Sequence, residues 1–108
     1  MCIRDRFQAI QHKLADMSVE VDASRLLTYR AAWMHKEGIP CFREACVAKL
    51  FASETWMRTA WKGMQILGGY GYTMEFDMQR YFRDAPMSVI GGGSAEIQRN
   101  IIGRLLVS

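Results

Sequence analysis

Apolar residues recur at three and four positions along two long stretches of this chain, the spacing of one face of an α-helix. In the first, Phe7 to Lys36, Ile10, Leu14, Met17 and Val21 form one stripe, while Val19, Leu26 and Trp33 form another at intervals of seven. Lys13, Asp16 and Glu20 mark its expected solvated edge. A helix with two apolar stripes needs neighbours on two sides, as in a bundle. Gly38 suits a helix C-cap and Pro40 blocks continuation. The second stretch, Phe42 to Leu67, carries a seam of small residues (Ala45, Ala48, Ala52, Thr55, Thr59, Gly63) that lets another helix approach its backbone. Bulkier Leu50, Phe51, Trp61 and Met64 lie beside that seam, and Gly68, Gly69 and Gly71 stop the helix.

A short helix is predicted over 75–84 and a last one over 94–106, with Pro86 and Gly91-Gly92-Gly93 in a sharp loop between them. No strand pattern, internal repeat or low-complexity tract is present, so the predicted fold class is all-α. At about 1.5 Å per residue the first helix is about 45 Å long. A globule of this length is only roughly 30–35 Å wide. Two such helices cannot cover each other, so further helices or a partner are expected on their apolar sides.

Composition narrows the function classes. The chain has 108 residues, half of them apolar and 23% charged, which is globular rather than disordered composition. Folding would reduce roughly 18,000 Å² of open-chain surface to about 6,000 Å², enough for one domain. The net charge of +3 comes from scattered basic residues, whereas a nucleic-acid reader concentrates them in one patch. No apolar run nears the roughly 20 residues of a membrane span. The N-terminal MCIRDRFQAI has charges where a signal peptide needs its apolar segment. Cys2, Cys41 and Cys46 form no C-x-x-C pair and read as free thiols of a reducing compartment, cytosol or organelle matrix.

Few residues announce chemistry. His12 and Asp16 stand at i, i+4, but no third metal ligand follows at useful spacing. Ser53 with Glu54, and Ser94 with Glu96, lack a histidine in reach, so no nucleophilic triad is legible. Arg80, Arg83 and Asp84 flank Tyr81 and Phe82, which reads either as an ion pair with aromatic packing or as an anion clamp. The eight methionines read as core filler. Gly68-Gly69-Tyr70-Gly71-Tyr72 follows a helix and lacks the third glycine of a dinucleotide fingerprint. It is either a helix cap or a loop whose bare backbone lies beside a ligand. Gly91-Gly92-Gly93 leads into Ser94, a good N-cap, and Glu96 in a first helical turn. That segment is either simple capping or an anion-contacting helix start.

In order along the chain, FQAIQHKLADM (7–17), SRLLTYRAAW (24–33), EACVAKLFASE (44–54), QILGGYGYTMEF (65–76), RYFRDA (80–85) and SAEIQRNIIGRLL (94–106) resemble the C-terminal helical domain of the acyl-CoA dehydrogenases. The resemblance covers about Phe7 to Leu106 and implies an up-and-down helical bundle of that type, lacking its first helix. It implies α,β-desaturation of acyl-CoA thioesters with FAD as cofactor, an electron-transfer flavoprotein as acceptor, and like subunits in a homotetramer or homodimer. Gln8 is similar to a family glutamine that contacts flavin from a neighbouring subunit. Gln65, Ile66, Leu67, Gly68 and Gly69 resemble the stretch lining the FAD adenosine and pyrophosphate. Ser94, Ala95 and Glu96 resemble the flavin-side turn that opens the last helix, and Gly93 falls at a substrate-contacting position. Localisation by this resemblance is the bacterial cytoplasm or, in a eukaryote, the mitochondrial matrix.

Two departures qualify what the resemblance implies. Many members place the glutamate that removes the substrate α-proton where this chain has Gly92, and glycine takes no proton. Other members carry that glutamate on an upstream helix, which this chain does not contain. Residues 1–6 match nothing in the family, so they are expected to be a non-native leader to a partial domain over 7–108. The isolated chain is expected to be inactive. The alternative reading is a non-catalytic helical module that self-associates through its small-residue seam, and a weaker third is a basic helical nucleic-acid binder.

Overall fold

Three helices pack against one. The computed structural model describes residues 3–107; Cys2 lies outside them. After a 3₁₀ turn over Ile3–Arg6 come α1 (Gln8–Lys36), α2 (Phe42–Leu67), a single turn α3 (Gly69–Tyr72), α4 (Met78–Ile90) and α5 (Ala95–Val107). Among the described residues there is no strand. The boundaries expected for α1 and α2 hold: Gly38 takes φ +72° beyond α1, and Gly68 takes φ +61° as the C-cap of α2.

α2 is the common partner of α1, α4 and α5. Its buried residues are Cys46, Ala48, Ser53, Thr55, Ala60 and Gly63, all small, so neighbouring backbones come close on several sides. The ion pairs Arg58–Glu20 (3.1 Å) and Lys62–Asp16 (4.0 Å) show that α1 runs antiparallel to α2. α4 is antiparallel on another side: Ser88 Oγ donates to the Ser53 carbonyl (3.3 Å), and the Phe82 and Trp61 rings stand 5.9 Å apart. A Cβ added at Gly63 would lie 2.7 Å from Met78 Sδ, so the Met78 side chain of α4 packs directly against this glycine.

Two sequence expectations change. The helix expected over 75–84 runs instead over Met78–Ile90, with Pro86 inside it rather than in the following loop. Phe82, Ala85 and Val89 share one face, and Ala85 is 1% exposed. Packing of that face prevails over a helix-interior proline's cost of about 3 kcal/mol, while the Pro86 ring itself stays exposed. In α1 the half-buried positions are Ile10, Lys13, Met17, Glu20, Ala23, Ser24, Leu27, Ala31 and Met34, one stripe at spacings of three and four with Ala23 beside it. Lys13 and Glu20 therefore lie on the inner side, whereas Leu14 and Val21 are exposed and only Asp16 of the expected polar edge is fully so. The reason for Glu20 is its partner: Arg58 on α2 donates Nε to its carboxylate.

The second stripe of α1 is uncovered, as helix length led us to expect. Val19, Leu26 and Trp33 are 67%, 69% and 57% exposed, and no residue of α1 is buried. The molecule measures 52 × 25 × 24 Å with a radius of gyration of 16.6 Å, against about 13 Å for a compact chain of this length. Its accessible surface is 7641 Å², where scaling gives about 6,100 Å².

Ala85→Leu should push α4 off α2, costing about 1–3 kcal/mol and lowering Tm by about 5 °C or more. Pro86→Ala should raise Tm, because it restores a donor at an exposed helix-interior position. Thermal melts followed by circular dichroism check both.

Candidate functional site

The residues singled out by sequence fall into two groups at opposite ends of α2. Gln65, Ile66 and Leu67 form its last turn, followed by Gly68 and Gly69. Gly68 ends the helix by donating its N–H to the Met64 carbonyl at 2.8 Å, and Gly71 N–H bonds the Gly68 carbonyl at 3.0 Å. Gly69 to Tyr72 thus make one further helical turn instead of a plain stop. Each glycine here has a different reason. Gly68 has positive φ; Gly71 packs so closely that a Cβ would meet Leu67 Cβ at 3.0 Å. Gly69 has ordinary φ, and a Cβ there would meet nothing within 4 Å. Nothing within the described chain requires glycine at that position, so its bare backbone is open to a ligand.

Gln8 is exposed at the start of α1. The antiparallel register set by Arg58–Glu20 and Lys62–Asp16 puts it at the level of Tyr70, the same end as Gln65–Gly69. Gln65, Gly68 and Gly69 are exposed, while Ile66 and Leu67 are half-buried. Beside this end, Met64, Tyr72, Met74, Gln79, Phe82 and Arg83 line a cavity of about 360 Å³.

The second group lies where α4 turns into α5. Gly91 N–H bonds the Met87 carbonyl at 2.8 Å, Gly92 has φ +68° and Gly93 φ +96°. Ser94 caps α5 as expected, its Oγ accepting the Ile97 N–H at 3.3 Å. Ala95 is buried and Glu96 exposed. This turn is fastened to α2 by Lys49, whose Nζ donates to the carbonyls of Ser88 and Gly93, each at 2.8 Å. Gln98, buried on α5, donates Nε2 to the Gly92 carbonyl at 3.4 Å. Sequence reading missed both side chains. The one available signal was a lone lysine inside the otherwise apolar Cys46-Val47-Ala48-Lys49-Leu50-Phe51 run.

From Lys49 to Gln65 along α2 is about 24 Å at 1.5 Å per residue. Gln8 and Gln65–Gly69 therefore lie at one end of the α1–α2 pair, and Gly91–Glu96 do not lie with them. A single ligand touching both groups of one chain must be extended over roughly 20 Å.

The remaining candidates are structural. Among the described residues no three His, Cys, Asp or Glu side chains converge on a metal site. His12 is exposed and Asp16 pairs with Lys62. Arg80 pairs with Asp77 at 3.8 Å rather than with Asp84, and its guanidinium stacks on Tyr81 at 5.3 Å. This is the ion pair with aromatic packing, one turn earlier than the sequence indicated. Cys41 and Cys46 are free, and burial pushes the Cys46 thiol above its usual pKa. No helix among the described residues is long and apolar enough to cross a membrane.

Comparison with known proteins decides the family. The model of the acyl-CoA dehydrogenase C-terminal domain matches residues 5–107. The chain belongs to the acyl-CoA dehydrogenase family. A probable acyl-CoA dehydrogenase of Bacillus subtilis, YngJ, is 48% identical over 101 residues, covering 94% of this chain and 27% of that protein. Butyryl-CoA dehydrogenase from Megasphaera elsdenii superposes with a TM-score of 0.94 at 40% identity, over 96% of this chain and 27% of that one. The FAD complex of PigA superposes with a TM-score of 0.91 at 29% identity, over 94% of this chain and 27% of that one. The chain thus spans about a quarter of the length of these acyl-CoA dehydrogenase relatives, and the matched part is their C-terminal helical domain.

Ser94→Ala removes the α5 cap and should cost about 1 kcal/mol, read as faster amide exchange in the first turn of α5. Because the thiolate is the reactive form, Cys41 should alkylate at least tenfold faster than Cys46 at pH 8.5, measured by peptide mass spectrometry.

Proposed function

We propose that this chain is the flavin-contacting, subunit-contacting C-terminal part of an FAD-dependent acyl-CoA dehydrogenase, an oxidoreductase that desaturates acyl-CoA thioesters at the α,β bond. The observation that carries this is Gly69: a glycine that neither backbone angle nor internal packing requires, exposed next to Gln65 and Gly68. A Cβ would fill that open backbone, so the residues present fit an extended dinucleotide laid along the end of α2. Gln8, Gln65, Ile66, Leu67, Gly68 and Gly69 would hold the adenosine and pyrophosphate side, and Ser94, Ala95 and Glu96 a flavin-side contact. With these groups at opposite ends of α2, the contacts can be shared between flavins of adjoining subunits.

When bound, FAD supplies a two-electron acceptor for the hydride leaving the substrate β-carbon. This chain's own residues bind and orient. The free amides at the start of α5 offer hydrogen bonds to electronegative atoms, and Gly93 would meet the acyl thioester through its backbone. None of Gly91, Gly92 and Gly93 takes a proton. Glu96, exposed on the first turn of α5, is four residues past the family's base position. The α-proton must therefore pass to a carboxylate outside this turn. Electrons leave to an electron-transfer flavoprotein, in the bacterial cytoplasm or mitochondrial matrix. The bare Val19, Leu26 and Trp33 stripe supports contact with like subunits or with further domains of the same protein.

The test is flavin binding and turnover. The whole protein containing this chain should purify yellow, and acyl-CoA should bleach its flavin absorbance. The 108-residue chain alone should show no dehydrogenation with any acyl-CoA, and turnover by the pure chain would overturn that expectation. A whole protein that self-associates yet binds no flavin would replace this reading with a non-catalytic helical interaction module.

A further inference from the structure

Two carbonyls from separate segments converge on one ammonium. Lys49, in the first half of α2, reaches Ser88 near the end of α4 and Gly93 in the following turn. Ser88 is itself fixed, its hydroxyl 2.6 Å from the Ala85 carbonyl and 3.3 Å from the Ser53 carbonyl, two acceptors between which its single hydrogen is shared. From the other side Gln98 holds the Gly92 carbonyl, and a Cβ on Gly93 would lie 2.7 Å from the same Gln98 nitrogen. The turn is gripped between α2 and α5.

The consequence lies in the peptide plane. In a trans peptide the C=O and N–H point in opposite directions. Fixing the Gly93 carbonyl on Lys49 therefore turns the Ser94 N–H away from α2. That N–H has no acceptor among the described residues, while the Ser94 hydroxyl is already engaged as the cap. Beside it, the Ala95 and Glu96 amides are the open donors of a helix start. Lysine suits this task because its compact ammonium, on a flexible stem, carries three N–H donors and can meet two carbonyls at once.

We propose that Lys49 is a positioning residue for the ligand-contacting turn Gly92–Glu96: its ammonium sets the Gly93–Ser94 peptide and so aims the amides that meet flavin and acyl thioester. The inference rests on the dehydrogenase reading above and adds the residue that makes the turn competent. Lys49 itself touches neither ligand.

The experiment uses the whole flavin-loaded protein. Lys49→Met keeps the unbranched apolar stem without the donors and should lower kcat/KM per bound flavin at least tenfold. Lys49→Arg, which keeps a charged donor, should recover at least threefold of that loss. A purely structural role would lower Tm and the folded fraction but leave kcat/KM per bound flavin unchanged. Both variants within twofold of the unmutated enzyme, or equal losses in the two, overturn the inference. A labelling measurement does not depend on variants folding: amine-reactive reagent should modify Lys49 at least tenfold more slowly than exposed Lys36, and equal rates overturn the contact. An unmutated protein without flavin or turnover would instead defeat the dehydrogenase reading, and the labelling would still judge the Lys49 contact.

Discussion

Close approach of three helices to α2 is the constraint on which the rest of this structure depends. A helix flanked on one side can bury leucines; one flanked on three must keep its inner positions small so that several axes come within packing distance. Every buried residue of α2 obeys this, from Cys46 to Gly63. Small side chains bury little apolar surface each. Large residues move to the margins of the contact, where Leu50, Phe51 and Met64 are half-buried and Trp61 is exposed. The helices are consequently tied by polar bonds as well: Lys49 to the turn before α5, Ser88 to the backbone of α2, and an alternating chain from Glu20 through Arg58 and Glu54 to Arg99. The charged chain is partly exposed and screened, so it fixes register more than it adds stability. The Lys49 bonds are to backbone carbonyls, which depend less on neighbouring side chains.

The same geometry explains why so much apolar surface is left bare. α1 is about as apolar on its outer stripe as on its inner one, because its inner face includes Lys13, Glu20 and Ser24. Such a helix has no strongly preferred side and needs partners on both. The described residues supply one of them. Open grooves run along the α1–α2 seam, one of about 490 Å³ lined by Ala31, Ala45, Ala48 and Ala52 among others, another of about 250 Å³ lined by Thr55, Trp56 and Thr59 with Val21. Relatives about four times as long, matched over their C-terminal domain alone, accord with surfaces that meet other protein.

Legibility in the sequence followed the range of the interaction. Helix ends set by local backbone chemistry were readable: Gly38 and Pro40 closing α1, Gly68 closing α2, Ser94 opening α5. Pro86 was misread because the local rule against helix-interior proline yields here to the packing of Phe82, Ala85 and Val89, which depends on α2 standing opposite. Glu20 was misread for a similar reason, since its partner Arg58 lies 38 positions away. The residues proposed to contact flavin came from resemblance to a family and not from spacing. Even so, the resemblance gave no hint that they divide between two ends of one helix. Lys49 bridges 39 and 44 positions to two carbonyls, and a carbonyl leaves no trace in residue identity.

The two glycine segments carry different kinds of information. In the turn before α5, the positive φ of Gly92 and Gly93 is demanded by the chain's own path, and a Cβ on Gly93 would displace the Gln98 amide. Those glycines would be needed to make this turn whether or not a ligand ever met it. Gly69 is different, because an added Cβ there would meet nothing within 4 Å and the described chain would tolerate a side chain. A glycine with no internal reason is a position that permits close approach of something external. In the proposed reading Gly69 is thus the stronger witness to a bound group, and the turn before α5 would owe its fitness to Lys49 and Gln98, which hold the carbonyls of Gly93 and Gly92.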